Sequence, residues 1–166
     1  EWNSAAWCGT AAGTGALYFD GTGTREIITK SLNTVGGGTI SFHLMIATGT
    51  SPCDNADAGE DIVLEYSVDN GSTWVVIQIF DSENYPGFTA VQIPIPAAAQ
   101  NVQTLFRWRQ IAHSGSGNDN WAIDEVNING TTGSWAILSD TSNMTIPGDT
   151  SQIDITFFGG DLSSGN

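Results

Sequence analysis

The chain has 166 residues; 40% are hydrophobic, and 18 acidic residues stand against 4 basic ones, which gives a formal net charge of −14. This length and apolar content suit one folded domain with a hydrophobic core and exclude a disordered chain. The negative charge repels nucleic acid and anionic lipid surfaces, and no run of about 18 apolar residues is available to span a membrane, so we expect neither nucleic-acid binding nor membrane insertion.

The residue types predict an all-β fold. Gly occurs 20 times, Thr, Ser, Asn and Val are frequent, and no long window carries apolar residues at helical spacing. We therefore expect many strands and turns and almost no helix.

Three strands are predicted in the first third of the chain. Residues 16–19 and 25–32 flank a turn that begins at Asp20, so we predict that they form a hairpin. Residues 39–47 alternate strictly and should have one packed face and one wet face. The apolar face carries Ile40, Phe42, Leu44 and Ile46, and the wet face carries Thr39, Ser41, His43 and Met45.

The middle of the chain contains the clearest predicted hairpin. Residues 62–68 and 74–80 are rich in strand formers and flank the turn Asp-Asn-Gly-Ser at 69–72. Asn and Gly accept the positive φ that a tight hairpin turn needs. Residues 89–95 form a further strand, which ends at two prolines because proline cannot donate to a β-ladder.

Two more strands, 105–110 and 121–128, are predicted to lie in one sheet, joined by a polar loop of Ser, Gly, Asn and Asp. Side chains alternate along a strand, so the aromatic and the basic residues of the first of these strands lie on opposite faces. The aromatic residues are Phe106 and Trp108, and the basic residues are Arg107 and Arg109. We assign Trp74, Trp108 and Trp121 to the core.

Asp124 and Glu125 are adjacent acids in a strand that is otherwise apolar. A carboxylate in such surroundings must find a cation, a guanidinium group or water. They cannot act together as a glycosidase pair, because neighbours in a strand point to opposite faces.

The long acidic loop at 48–61 is a candidate Ca²⁺ site, because irregular loops rich in oxygen suit an ion that takes six to eight oxygen ligands. Glu60 and Asp61 are its candidate ligands, and Asp20 in the turn after the first strand is another. A solvated acidic loop without metal explains the same composition. Cys8 and Cys53 allow one disulfide in an oxidising compartment or two buried thiols.

The C-terminal residues 131–166 are predicted to be an extension of a domain that covers residues 1–130. They contain two short predicted strands, 134–138 and 152–158, and a tail typical of a linker. These strands either complete the fold, begin a second domain or pair with a neighbouring chain.

No enzyme motif is present in the sequence. We find no Gly-x-Ser-x-Gly elbow, phosphate-binding loop or zinc-ligand spacing. His43 on a wet strand face is expected to be a surface residue rather than a catalytic base. We therefore expect no catalysis.

Several stretches together carry a family resemblance: CGTAAGTGALYFDGTGTRE, GGTISFHLMIATG, DIVLEYSVDNGSTW, PAAAQNVQTLFRWRQ and SGSGNDNWAIDEVNI. In this order they resemble the reelin-type repeat domain of reelin and of secreted bacterial surface proteins, over residues 7–128. The chain is more distantly similar to MAM domains and carbohydrate-binding modules. The resemblance implies an antiparallel jelly-roll β-sandwich in a secreted or cell-surface protein.

The resemblance also implies a disulfide and a metal ion. Cys8 and Cys53 match the intradomain disulfide of the family. Asp124 matches a Ca²⁺ ligand of similar sandwiches, whose companion ligands come from an acidic first strand that this chain lacks. Either Glu1 substitutes for that strand or the strand was removed by processing. We therefore expect structural Ca²⁺ with ligands drawn from Asp124, Asp20, Glu60, Asp61 and Glu1.

The predicted function is a non-catalytic extracellular binding or adhesion module within a larger protein, with a surface glycan or a protein as partner. The candidate ligand-binding residues are expected on the wet sheet face and its rim; they are His43, Met45, Glu65, Tyr85, Arg107 and Arg109. The alternative role for Arg107 and Arg109 is structural, in pairs with Glu65 or another strand carboxylate across the sheet. The alternative is a structural subunit that polymerises with copies of itself by donating a strand from residues 131–166.

Overall fold

The computed structural model describes residues 2–3, 8–46, 49, 53–130 and 133–137. These residues form two antiparallel sheets, which confirms the predicted all-β sandwich. The strands are β1 (Trp2–Asn3), β2 (Leu17–Phe19), β3 (Glu26–Ile28), β4 (Gly38–Ile46), β5 (Ile62–Ser67), β6 (Val75–Phe80), β7 (Thr89–Pro94), β8 (Leu105–Gln110), β9 (Trp121–Gly130) and β10 (Gly133–Ile137). The predicted strand at 152–158 lies outside the described residues.

Sheet A has the strand order β1-β2-β9-β4-β7, with β10 beside β9, and sheet B has the order β3-β8-β5-β6. Helical structure in the described part of the chain is limited to two 3₁₀ turns, Ser82–Asn84 and Ala97–Ala99. None of the helical segments described is long and apolar enough to cross a membrane.

The core lies between the sheets, and aromatic side chains from both sheets meet inside it among aliphatic ones. Phe42 of sheet A meets Trp108 of sheet B edge to face, with ring centroids 5.4 Å apart, and meets Phe80 at 5.6 Å. Phe19 stacks on Trp121 at 3.9 Å within sheet A. Trp108 and Trp121 are fully buried, which confirms their assignment to the core.

The predicted hairpin in the middle of the chain is confirmed. β5 pairs with β6 in antiparallel register from Ile62 opposite Phe80 to Tyr66 opposite Val75. The turn between them has φ of 60° at Asn70 and 83° at Gly71. These are the positive values that the Asn-Gly pair predicts.

Two predicted strand pairings are wrong. β2 pairs with β9 in sheet A while β3 pairs with β8 in sheet B, so residues 16–32 form no hairpin. β8 and β9 likewise belong to different sheets. Alternation shows which face of a strand is buried, but both sheets of a sandwich have a buried face, so the pattern does not assign a strand to a sheet.

Two of the connections that cross between the sheets, 20–25 and 111–120, meet at the buried guanidinium of Arg25. This side chain is 2% exposed and donates to five oxygen atoms at 2.7 to 3.0 Å. The acceptors are the carbonyl oxygens of Gly21, Gly115, Asn118 and Asp119 and the Oε1 of Gln110. Burial lowers the pKa of the guanidinium, and Asp119 and Asp20 act in the opposite direction.

A disulfide between Cys8 and Cys53 ties the segment before β2 to the loop after β4, and it confirms the bridge that the resemblance implies. The sequence separation of 45 residues corresponds to about 4 kcal/mol of stabilisation in the chain-entropy model. Asp54, next to Cys53, exchanges two hydrogen bonds with Asn120, at 2.9 and 3.0 Å. The bridge is therefore linked to the same crossing loop that Arg25 holds.

We expect Arg25→Met to destabilise the protein by about 3 to 5 kcal/mol, because several buried carbonyl oxygens lose their donor. Arg25→Lys keeps the charge but loses the planar fork of donors, so it should recover only part of the loss. Urea unfolding followed by tryptophan fluorescence measures both variants. A Lys variant as stable as the wild type would show that charge alone holds the loop.

Candidate functional site

The outer face of sheet B carries a group of charged residues that we call the charged platform: Glu26, Glu65, Arg107 and Arg109. Glu65 in β5 lies opposite Arg107 in β8, and Arg109 lies opposite Glu26 in β3. The neighbours of these residues along each strand are buried, so alternation places the four on the outer face.

Glu65 is the centre of the charged platform. Its carboxylate accepts hydrogen bonds from Arg107 at 2.8 Å and from Arg109 at 3.2 Å. A second nitrogen of Arg107, Nη2, lies 2.7 Å from Glu65 Oε2, and Nη1 lies 3.3 Å from Glu26 Oε2. Half of the basic residues of the chain are therefore placed in this network, which balances two arginines against two glutamates.

Burial of Glu65 acts to raise its pKa, but hydrogen bonds from Arg109 and Arg107 outweigh burial and hold the pKa below its ordinary value. The carboxylate is 4% exposed, so the charged form depends on both guanidinium groups. The network thus fixes the side chains of β3, β5 and β8 across the sheet.

Trp74 lies over the charged platform, with its ring centroid 4.1 Å from the Cζ of Arg107. The side chain is only partly buried and does not belong to the core cluster, so its assignment to the core is wrong. A guanidinium group over an indole face is a favourable cation–π contact. Trp74 lies between the turn of the β5–β6 hairpin and the start of β6. Its side chain extends across β5 to Arg107 in β8.

Two exposed apolar residues of the edge strand β6 lie beside the charged platform. Val76 pairs with Glu65 and is 51% exposed, and Ile79 pairs with Val63 and is 54% exposed. A register shift between Leu64 and Glu65 puts both side chains on the outer face. The result is a balanced charged network bordered by uncovered apolar side chains.

The structure does not bring the six predicted ligand-binding residues together. Glu65, Arg107 and Arg109 lie on the outer face of sheet B, whereas His43 and Met45 lie on the outer face of sheet A, on the opposite side of the sandwich.

Tyr85 packs edge to face on Phe80 at 5.6 Å. Glu26 was not predicted as a site residue, although it lies on the outward side of β3 next to the buried Ile27.

Asp124 lies where β9 changes register against β4. Its partner in β4 is His43, the register shifts between Ser41 and His43, and Glu125 has φ of 51°. The Oδ2 of Asp124 accepts N–H groups of Ala11 and Ala12 at 2.9 and 3.2 Å, and Oδ1 accepts that of Glu125 at 2.8 Å. Asp124 therefore holds the segment before β2 on the outer face of sheet A through backbone N–H groups.

Among the described residues, few oxygen ligands for a calcium ion surround Asp124. The ion needs six to eight oxygens, and N–H groups directed at both carboxylate oxygens repel a cation there. The Oδ1 of Asn127 and the Nδ1 of His43 are buried without a hydrogen-bond partner in the described part of the chain, but they add too few oxygens. No group of three or more His, Cys, Asp or Glu among the described residues is arranged to hold a metal.

The other predicted calcium ligands lie at separate contacts. Glu60 accepts the N–H of Asp57 at 2.7 Å, and Asp61 accepts that of Ser82 at 3.0 Å. Asp20 contacts Tyr18, whose pKa is raised by burial and further by Asp20. Glu1 lies outside the described residues, so calcium stays a prediction from the resemblance.

These features define a class of protein: a disulfide-linked β-sandwich module with two antiparallel sheets and a charged outer face. The family model of Reelin subrepeat B matches residues 2–129, and the chain belongs to this family. The predicted resemblance is therefore confirmed. Reelin-type repeats are extracellular, non-enzymatic modules, which agrees with the disulfide.

We expect Glu65→Gln to cost about 3 kcal/mol at pH 7, because it leaves two guanidinium groups without their carboxylate. The pKa of Glu65 is lowered in the folded state, so its contribution is present above the ordinary value of 4.5 and is lost as the pH falls through the folded-state pKa. The difference in unfolding free energy between the variant and the wild type should therefore shrink as the pH falls through the folded-state pKa of Glu65.

Urea unfolding at several pH values measures this difference, with the exposed Glu83→Gln as the matched control. A penalty for Glu65→Gln that stays constant across the acid range would contradict the charge-based account.

We expect the melting temperature in millimolar Ca²⁺ to equal that in excess EDTA, because backbone N–H groups already occupy the Asp124 carboxylate. A site filled at 100 times its Kd would add about 2.7 kcal/mol and raise the melting temperature by about 5 to 10 °C. Differential scanning calorimetry separates the two cases. A rise of that size, lost in Asp124→Asn, would restore the sequence prediction.

Proposed function

We propose that the chain is a non-catalytic adhesion module of a larger secreted or cell-surface protein, and that a protein partner binds the charged platform together with Trp74 and the edge strand β6. The observation that carries this proposal is the Trp74–Arg107 stack beside the exposed side chains of Val76 and Ile79.

The composition of this surface supports a protein partner. Tryptophan and arginine are the residues that most often dominate protein–protein binding energy, and they do so next to apolar contacts that exclude water. The arginines are already oriented by Glu65, so binding would cost little side-chain entropy.

Electrostatics favour the same face. The chain carries a net charge of −14, so most of its surface repels other acidic proteins. The charged platform is balanced, because two arginines face two glutamates, and β6 contains no charged residue. A partner can approach this face with little long-range repulsion, and its contact is then decided by shape and apolar area.

A glycan partner would favour a different location. A cleft of 440 Å³ lies between residues 22–25 and 109–113, where Arg109 borders the platform. Thr22, Thr24 and His113 line this cleft and offer polar groups to a sugar. The flat, partly apolar face of β6 suits a protein better, and the sugar remains an outcome of the experiment.

We expect Val76→Asp to weaken binding of the protein partner at least tenfold, because a carboxylate buried in an interface without a partner costs more than about 1.4 kcal/mol. The intact chain is the probe on two arrays, one of secreted and cell-surface proteins and one of glycans. Val102→Asp is the matched control, since Val102 is 63% exposed and lies in the loop before β8.

Protein hits that Val76→Asp loses and Val102→Asp keeps support the proposal. Protein hits that are indifferent to Val76→Asp, or an array without protein hits, overturn it. Glycan hits that both variants keep would assign the ligand to another part of the surface.

A further inference from the structure

In sheet A, strand β9 pairs with one strand on one side and with two short strands on the other. On one side it pairs with β4 along its whole length, from Gly38 opposite Gly130 to Ile46 opposite Trp121. On the other side β2 pairs only with residues 121–123, and β10 pairs with residues 126–130. Two short strands therefore share one side of β9.

The family domain by itself leaves part of this side open. The family match ends at residue 129, and β10 begins at Gly133. Among the described residues, β10 supplies the partner for residues 126–130 on this side. Without β10, a row of backbone N–H and C=O groups would be unpaired, and such a row is a template for another strand.

The connection between β9 and β10 is chemically unsuited to a closed hairpin. Gly130 pairs with Gly133, so a closed hairpin would have to turn within the two residues between them, which the sequence gives as Thr131 and Thr132. Two-residue hairpin links need positive φ at one or both residues, and a β-branched residue such as threonine strongly disfavours it. The β5–β6 hairpin of the same chain meets this demand with Asn70 and Gly71.

We propose that β10 is exchanged between two copies of this chain, so that β10 of each copy pairs with β9 of the other. The exchange keeps every pair of the β9–β10 register and no longer requires a tight turn of two threonines. It is independent of the partner surface on sheet B.

The paired segments carry no charge that would oppose contact between two acidic chains. Neither residues 126–130 nor residues 133–137 contain a charged side chain. Repulsion between two copies, each of net charge −14, comes from the rest of the surface and is screened by salt. The exchanged dimer should therefore become more populated as the salt concentration rises.

The hinge provides matched variants for the test. Thr131→Asn combined with Thr132→Gly creates a favourable turn and should raise the dimer dissociation constant at least tenfold, the equivalent of about 1.4 kcal/mol. Deletion of Thr131 and Thr132 prevents closure of the hairpin and should increase the dimer. Size-exclusion chromatography with light scattering measures the mass of the 166-residue chain and of both variants across protein and salt concentrations.

A cysteine experiment distinguishes exchange from other dimers. Asn129 pairs with Ser134, so one sample carries Asn129→Cys and the other carries Ser134→Cys. Joint refolding and oxidation should give a covalent dimer that contains one chain of each kind, which a closed hairpin cannot form. Light scattering of the unsubstituted chain then shows whether the dimer forms without the added cysteines.

The proposal is overturned if the mixed cysteine samples give no covalent dimer and the wild-type chain remains a monomer at high salt. A dimer that forms equally with the Asn-Gly hinge and without mixed cross-links overturns it as well, because that dimer would use another surface. Should the deletion variant fail to fold, the Asn-Gly variant and the cross-link still decide the question.

Discussion

The buried guanidinium of Arg25 determines how the two sheets are connected at one end of the sandwich. The connection between β8 and β9 is almost free of apolar side chains, so it has no hydrophobic surface of its own with which to fold against the core. Its backbone carbonyl oxygens turn toward Arg25 instead, and they meet a donor whose planar fork reaches several acceptors at once. This arrangement lets consecutive strands enter different sheets without leaving the crossing loop unanchored, and the link from Asp54 to Asn120 couples the loop to the disulfide.

Three of the four basic residues of this acidic chain hold its structure together. Arg25 fixes the crossing loops, and Arg107 and Arg109 neutralise Glu65 on the outer face of sheet B. The two most buried strand carboxylates, Glu65 and Asp124, are satisfied in different ways. Glu65 lies opposite an arginine in the neighbouring strand, whereas Asp124 faces a segment whose backbone N–H groups are free to turn toward it. The difference arises because arginines lie next to Glu65 on the outer face of sheet B, whereas the segment before β2 lies next to Asp124 on the outer face of sheet A.

As a member of the reelin-type family, this chain combines the family domain with two surfaces on which contacts could form. The charged platform and β6 provide a rigid face in which charge is balanced and apolar side chains remain uncovered. The side of β9 at residues 126–130 provides backbone groups that only a strand can pair. The first surface suits recognition by side chains and the second suits recognition by main chain, so they place different demands on a partner.

The sequence by itself determined the all-β class, the β5–β6 hairpin and the inward direction of Trp108 and Trp121, because these depend on local turn chemistry and on the two-residue period of a strand. It did not determine that β2 and β3, or β8 and β9, belong to different sheets. It also placed His43 and Arg107 in one site, although they lie on opposite sides of the sandwich. Which sheet a strand joins, and which carboxylate meets a guanidinium group, depends on contacts between residues far apart in the chain, and only the tertiary structure decides them. Arg25 shows the reason: its acceptors are mostly main-chain oxygens, which every residue carries and which therefore leave no mark in the sequence.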